Sequence, residues 1–365
     1  MEIAKIVRDT LSTLGSLCKR RRRQNLDSYL LKLPVELILR ITDFLSPSNL
    51  ILFSQTCCSV HAIIQTNINT TKLSRTGYLL FLAGCVRAQP EKWVCEKCMK
   101  LHPIDRLDTP TATFQRTSCP REKYGRVRWD TRLWYGQIRL EHRHIQLALK
   151  YTRLQEQKYD SYLQALLAPH HDKAYSPRGE ARLETHYSAY PKIATASNGS
   201  LRFLLLSTWR YYKGREKISI KKIGYLPICP HVIIDPFRMC RRYDDPDNQL
   251  ETAIEMSLWA QGNRREHTGA CSRCATDFSV QSDSQSLDLC VWQDFGPEGS
   301  PGDLAWEIHC DSVGLDGVPN CWDWGHTLYH EPGTIRKLYG KYEECEPRVD
   351  SASLTDKVMS IFNGI

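Results

Sequence analysis

Apolar residues at Leu37, Ile38, Ile41, Phe44 and Leu45 recur every three or four positions, while Glu36, Arg40 and Asp43 take the other side. That period predicts an amphipathic helix. Leu33-Pro34 places its start, because proline fixes its own φ and keeps the residue before it extended. Ser46-Pro47-Ser48-Asn49 ends the helix and supplies fresh N-caps, after which Leu50, Ile51 and Phe53 carry apolar periodicity up to Thr56-Cys57-Cys58. A third short helix is expected from about Ser59 to Thr66. Three helices in a stretch of about 40 residues cannot bury all their apolar faces on one another, so this module needs a partner, either the rest of the chain or another protein.

Beyond it the pattern changes. Leu73, Tyr78, Leu79, Phe81 and Leu82 predict a connecting helix over Leu73 to Ala83, and residues 84–130 are polar and turn-rich. Ile138, Leu140, Ile145, Leu147 and Leu149 alternate and favour strand, although Leu147, Tyr151 and Leu154 would also serve a helix. Tyr159, Tyr162, Leu163, Leu166 and Leu167 predict a helix ending at Pro169, and His170 to Ser200 reads as a surface loop or partly disordered insert. Leu201 to Tyr212 and Lys217 to Ile223 read as a hairpin about Lys213-Gly214-Arg215, with further strands at Ser286 to Trp292 and Leu304 to Cys310 and a helix at Leu250 to Leu258. The tail from Gly333 to Ile365 reads as one or two loosely docked helices. The expected class is α+β: a small N-terminal three-helix module followed by a larger mixed domain with antiparallel strands and Cys/His loops held by zinc.

Composition is that of a globular chain, with 365 residues, 41% hydrophobic and 25% charged. The formal charge of +8 suggests nucleic acid until its location is considered: Lys19-Arg20-Arg21-Arg22-Arg23 supplies five of those charges in one run, and the body is near neutral. Such a run reads as a solvated tether, with nuclear import or phosphate contact as the sharper alternatives. Ile3, Ile6, Val7, Leu11, Leu14 and Leu17 suit an amphipathic helix before it. No export signal and no apolar stretch near the roughly 18 residues of a membrane span is present, so the fifteen cysteines are expected in a reducing compartment, as thiols or metal ligands rather than disulfides.

Two of those cysteine groups have ligand spacing. Cys95-x-x-Cys98 and Cys271-x-x-Cys274 each place two thiolates where one tetrahedral ion can take both, leaving two N or S positions to fill. Cys95, Cys98, His102 and Cys119 make one quartet and Cys229, His231, Cys271 and Cys274 the other, both for structural Zn²⁺; a swapped pairing and plain buried thiols are the alternatives. The remaining cysteines lack ligand spacing and read as small apolar fillers or surface thiols. No phosphate loop, GxSxG or His-Glu-x-x-His occurs, and His170-His171 and Glu141-His142-Arg143-His144 read as polar surface, so neither an enzyme nor an organic cofactor is expected. The aromatic group Trp322, Trp324, Tyr329, Tyr339 and Tyr342 reads as packing.

Leu33-Pro34-x-Glu36-Leu37, with Ile41, Leu45, Leu50 and Thr56-Cys57, resembles an F-box. Trp93-Val94-Cys95-x-x-Cys98 with Leu101-His102-Pro103, Ile228-Cys229-Pro230-His231, and Cys271-x-x-Cys274 with Thr276-Asp277-Phe278 resemble marks of filamentous-fungal F-box proteins. The resemblance implies a substrate receptor of an SCF ubiquitin ligase, in the cytoplasm or nucleus, recruiting an unidentified protein substrate. It implies that Leu33, Pro34, Leu37, Ile41, Leu45 and Leu50 form the surface docked on a Skp-type adaptor and, through it, a cullin, and that Cys57 is a core cysteine of the module. Residues 1–28 are then a basic arm, 29–72 the F-box, and 73–365 the substrate-recognition part; neither membrane nor nucleic acid is an expected partner. The alternative is a zinc-stabilised interaction or nucleic-acid-binding protein whose helical module is only structural.

Overall fold

A computed structural model describes residues 28–70, 72–112, 119, 138, 140–174, 183–214, 217–234, 249–260, 265–310 and 327–340. The basic run, the helix expected before it, Trp322, Trp324, Tyr342 and the tail beyond Gly340 lie outside them. After a 3₁₀ turn at Tyr29–Lys32 come α1 (Val35–Asp43), α2 (Pro47–Ser54), α3 (Cys58–Thr70) and α4 (Arg75–Val86). Pro34 is the N-cap of α1, and Ser46 caps α2, accepting from the Asn49 N–H with Pro47 in the first turn, as the sequence predicts. Helix α3 runs further than expected. Leu50, Ile51, Val60, Ile64 and Ile68 form one core with Tyr78, Leu79, Phe81, Leu82 and Val86 of α4, so the three-helix module buries its inner face on the helix that follows it.

Next is a short antiparallel hairpin, β1 (Lys92–Cys95) with β2 (Lys100–Pro103), inside a stretch that reads as irregular from its composition. Its period of two points the paired Val94 and Leu101 into the first core, and Trp93, Cys95 and His102 toward the second. The hairpin is therefore a slab shared by both cores.

Ile138 and residues 140–149 do not form a strand. They lead into α5 (His142–Leu154), in which every residue from His142 to Tyr151 is buried. A helix covered on all sides has no polar face, so the 3.6 period that identifies surface helices is absent and chance alternation dominates the reading. Its polar residues are buried because each has a partner. Arg143 donates to Asp108 and Glu141, His144 donates to Asp108, and Gln146 accepts from the Val94 N–H and donates to the Gly299 carbonyl. Lys150 donates to the Gln89 and Lys92 carbonyls. These bonds satisfy backbone groups of the hairpin and of the 299 loop, which would otherwise be left unpaired. His142, Arg143 and His144 are thus interior groups, not the polar surface that the sequence suggests.

Helix α6 (Asp160–Leu166) ends before Pro169, as expected. The next stretch departs from expectation: β3 (His170–Ala174) and β4 (Thr185–Thr195) are strands rather than insert. Strand β4 pairs with β5 (Leu201–Tyr212) through a turn with Gly199 at φ +79°, so β5 turns back on the segment before it and not on 217–223. That later segment forms α7 (Ile220–Ile223), leading into the short pair β6 (Leu226–Pro227) and β7 (Ile233–Ile234). Helix α8 (Gln249–Trp259) is followed by β8 (His267–Ala270), β9 (Thr276–Ser282) and β10 (Ser286–Pro297). The six-stranded sheet has the order β3-β4-β5-β10-β9-β8, antiparallel throughout. The expected strand at Leu304 to Cys310 is a helical turn, α9 (Leu304–Glu307), which buries Trp306 in the main core. Helix α10 (Thr334–Tyr339) lays Ile335 and Tyr339 on the far face of the sheet over Leu204, Leu206 and Trp292. Asp277 fixes it there, accepting from the N–H groups of Gly333, Ile335 and Arg336 and from His330.

Candidate functional sites: an apolar helix face and two thiol clusters

Helix α1 buries only Ile38 and Thr42. Leu39 packs half-buried against the module's core, but the other apolar side chains of α1 and its flanks face outward: Leu37 is 49% exposed, Phe44 89%, and Leu33, Val35 and Ile41 are also exposed, with Tyr29 at 86% just before them. Pro34 is exposed, and Leu45 is half-buried, packed against the module's own core. Leu50 is not on the exposed surface: at 9% exposed it belongs to that core. Val35, Phe44 and Tyr29 belong to the exposed surface and are absent from the docking set inferred from the sequence. Phe44 was legible as an apolar residue, but periodicity does not say whether an apolar position faces the chain's own core or water. Contiguous apolar side chains left in solvent mark an interaction site rather than a scattered surface leucine. Cys57 packs half-buried against the same core, its sulfur accepting the Val60 N–H at 3.5 Å as α3 begins.

The thiol clusters form where hairpin turns bring sequence neighbours together and the fold adds the distant members. In the first, Cys95 ends β1, the turn passes through Met99 at φ +53°, and His102 lies on β2. Cys119 comes in from far along the chain, its sulfur 3.7 Å from that of Cys95, and Cys98 Sγ lies 2.9 Å from His102 Nε2. The Trp93 ring packs on His102 with centroids 5.1 Å apart, and the Arg143 guanidinium lies over the Trp93 ring, 5.5 Å from its centroid. In the second, the β6–β7 turn supplies Cys229 and His231 and the β8–β9 turn supplies Cys271 and Cys274. Backbone N–H groups of Val232 and Arg273 donate to Cys229 Sγ at 3.3 Å and to Cys271 Sγ at 3.4 Å. The Thr276 hydroxyl lies 3.2 Å from Cys274 Sγ.

Within each quartet the four potential ligand atoms lie within 4.8 Å of one another. Zinc–sulfur bonds of about 2.3 Å at tetrahedral angles set sulfur–sulfur separations of about 3.8 Å. The clusters are therefore close to the size a metal needs, and the Cys95–Cys119 distance of 3.7 Å already matches. The donor chemistry fits as well. Three sulfurs and one imidazole are a closed set for a structural ion, and His231 Nδ1 is buried without a hydrogen-bond partner. Burial pushes the Cys95, Cys98, Cys229 and Cys274 thiols up, while hydrogen bonds from Cys229 and Cys274 hold Cys271 far below the usual thiol range. Burial, with Lys100 nearby, lowers His102 and leaves its imidazole neutral, as a ligand must be. The structure brings the four residues of each quartet together, and these clusters can hold a metal ion.

The other cysteines divide as fillers do. Cys310 is buried in the main core, Cys85 and Cys290 are half-buried, and Cys58 is exposed; Cys18, Cys240, Cys321 and Cys345 lie outside the described residues. Among the aromatic residues singled out from the sequence, Tyr339 packs α10 onto the sheet while Tyr329 is exposed. Among the described residues, no helix is long and apolar enough to cross a membrane.

Comparison with known families matches residues 30–72 to the F-box domain. That match runs from within the 3₁₀ turn through α3, the segment that carries all of the exposed apolar surface but Tyr29. No curated protein and no solved structure matches the chain.

Proposed function

This chain is an F-box-containing protein, which in general terms implies an SCF substrate-receptor role, and on that premise we propose how it performs one. Residues 29–72 dock on a Skp-type adaptor through the outward face of α1, with Leu33, Pro34, Leu37 and Ile41 at its centre, together with the exposed part of Leu45, and Val35 and Phe44 extending it. The observation that carries this reading is the coincidence of the family match with an apolar helix face that the chain leaves in water. An amphipathic helix of this kind gains by entering an apolar groove on a partner.

Residues 73–365 hold the substrate. The receptor does no bond chemistry of its own: it raises the effective concentration of a bound protein near the ubiquitin-charged enzyme that the adaptor and cullin bring, which is a tethering effect. Tethering works best from a rigid arm, and the shared hairpin supports one. Val94 and Leu101 engage the core of the docking module, while Trp93 and Cys95 engage the core of the body. Cys95, Cys98, His102 and Cys119 would hold one Zn²⁺ at the end of that hairpin, and Cys229, His231, Cys271 and Cys274 a second between two turns of the body. When bound, such ions supply cross-links; with all four positions taken by protein, no coordination site is open to activate water. The chain's own residues do the rest: the turns bring the ligand pairs together, and the N–H groups of Val232 and Arg273 hold the sulfurs in place.

The double variant Leu33→Ala with Pro34→Ala tests the docking reading. It should abolish co-purification of the adaptor while leaving the helical content and melting cooperativity of the chain intact. Undiminished co-purification would sink the proposal.

A further inference from the structure

One polar residue beside the second cluster is neither a metal ligand nor a surface group. Thr276 is fully buried, two residues after Cys274, at the start of β9. Its backbone closes the turn: the Cys271 N–H donates to the Thr276 carbonyl at 2.8 Å, and the Thr276 N–H donates to the Cys274 carbonyl at 2.7 Å. Its hydroxyl has two neighbours, Cys274 Sγ at 3.2 Å and His309 Nε2 at 3.4 Å. His309 Nδ1 lies 2.8 Å from the Ala305 carbonyl, which can only accept, so Nδ1 carries the ring proton and Nε2 offers a lone pair. The Phe295 ring, 4.8 Å away between centroids, packs on the His309 ring.

A hydroxyl has one proton to give. Without a metal, the hydroxyl gives it to His309 Nε2 and accepts from the Cys274 thiol, and every group is satisfied. A metal-bound Cys274 is a thiolate and can only accept. We infer that Thr276 is a positioning residue for the second metal site, its hydroxyl turning from His309 to donate to Cys274 Sγ when the metal is held. The charged sulfur is the nearer of its two acceptors and makes the stronger bond. This hydrogen bond fixes the Cys274 side chain toward the ion and disperses charge on the sulfur, which a site of three thiolates around one divalent ion needs. The inference rests on the reading that Cys229, His231, Cys271 and Cys274 bind a metal.

The test is a titration of the metal-free full chain with Co²⁺, read by its thiolate-to-cobalt charge-transfer absorption, and then by competition with Zn²⁺. The wild type should take up two ions. Thr276→Val should take up one as before and the other about 10- to 100-fold more weakly, the usual cost of losing an outer hydrogen bond to a ligand, with a shifted charge-transfer band. Thr276→Ser, which keeps the hydroxyl and drops the methyl, should restore both affinity and band. Unchanged uptake at the first cluster serves as the control that each variant is folded. Wild-type affinity and spectrum in Thr276→Val overturns the inference, as does a Thr276→Ser that fails as badly as the valine. A wild type that binds no ion at the second cluster overturns the metal reading itself, a distinct result visible before any variant is made.

Discussion

Leu37 and Ile38 are neighbours on α1 that should fail in opposite ways when truncated to alanine. Ile38 is 1% exposed, Leu37 49%. Fully burying a leucine is worth about 1.5–3 kcal/mol, and Leu37 keeps half its surface in water, so Leu37→Ala should lower the unfolding free energy by about 1 kcal/mol or less. Ile38→Ala removes the same kind of group from a closed site and leaves a cavity, which costs about 2–5 kcal/mol. Adaptor binding should show the reverse sensitivity. An apolar side chain at the centre of a docked face contributes about 2 kcal/mol, so Leu37→Ala should weaken the complex about 30-fold. Ile38→Ala should weaken it only as far as it depopulates the folded module. Denaturant titrations of both variants, paired with calorimetric titration of purified adaptor, separate the two quantities. If Leu37→Ala instead loses more than about 2 kcal/mol of stability and binds normally, its side chain serves the fold and the argument from exposure is wrong.

Two further predictions concern the body. Protein purified without chelator should carry two zinc ions per chain by elemental analysis; Cys95→Ser and Cys271→Ser should each lose one, and a chelator should lower the melting temperature. Absence of bound zinc would refute the metal reading. Burial alone would raise Asp277, but the His330 hydrogen bond and the Arg336 and Gly333 N–H groups outweigh it and hold the carboxyl below its usual range. A carboxyl depressed in the folded state contributes stability that is complete above the unfolded value of about 3.9 and lost as pH falls through the folded one. Asp277→Asn should therefore cost about 2–4 kcal/mol at neutral pH, and its melting temperature should fall less than that of the wild type between pH 4 and pH 2. Parallel acid curves for the two proteins would contradict the assignment.

What the sequence made legible depends on whether local chemistry or distant packing decides each element. Helices α1 and α2 were legible because Pro34, Ser46 and Pro47 set their ends and one face of α1 is polar. The two thiol quartets were legible because a tetrahedral ion demands paired thiols at fixed spacing, and each CxxC needed only two more donors. Helix α5 was not, since burial on every side erased its period; what keeps it buried is Asp108, Gly299 and the hairpin carbonyls, all far along the chain. The strand at 185–195 looked like part of an insert because polar residues such as His186 and Ser188 sit on the alternating outer positions of a half-buried strand. Register also escaped the sequence: Lys213-Gly214 resembles a hairpin turn, yet the partners of β5 are β4 and β10. Thr276 carries no signal in the sequence beyond its place after a CxxC, because its hydroxyl gains meaning from His309, 33 residues away.

The central claim is that α1 leaves an apolar face in water because an adaptor covers it. Hydrogen–deuterium exchange of the full chain, with and without purified Skp-type adaptor, tests this most directly, since it reports the contacted segment without assuming which residues matter. The account predicts slowed exchange in peptides spanning residues 29–45, with the sheet and both thiol clusters unchanged. Saturating adaptor that leaves those peptides exchanging at the free rate, or protects only the body, would contradict it.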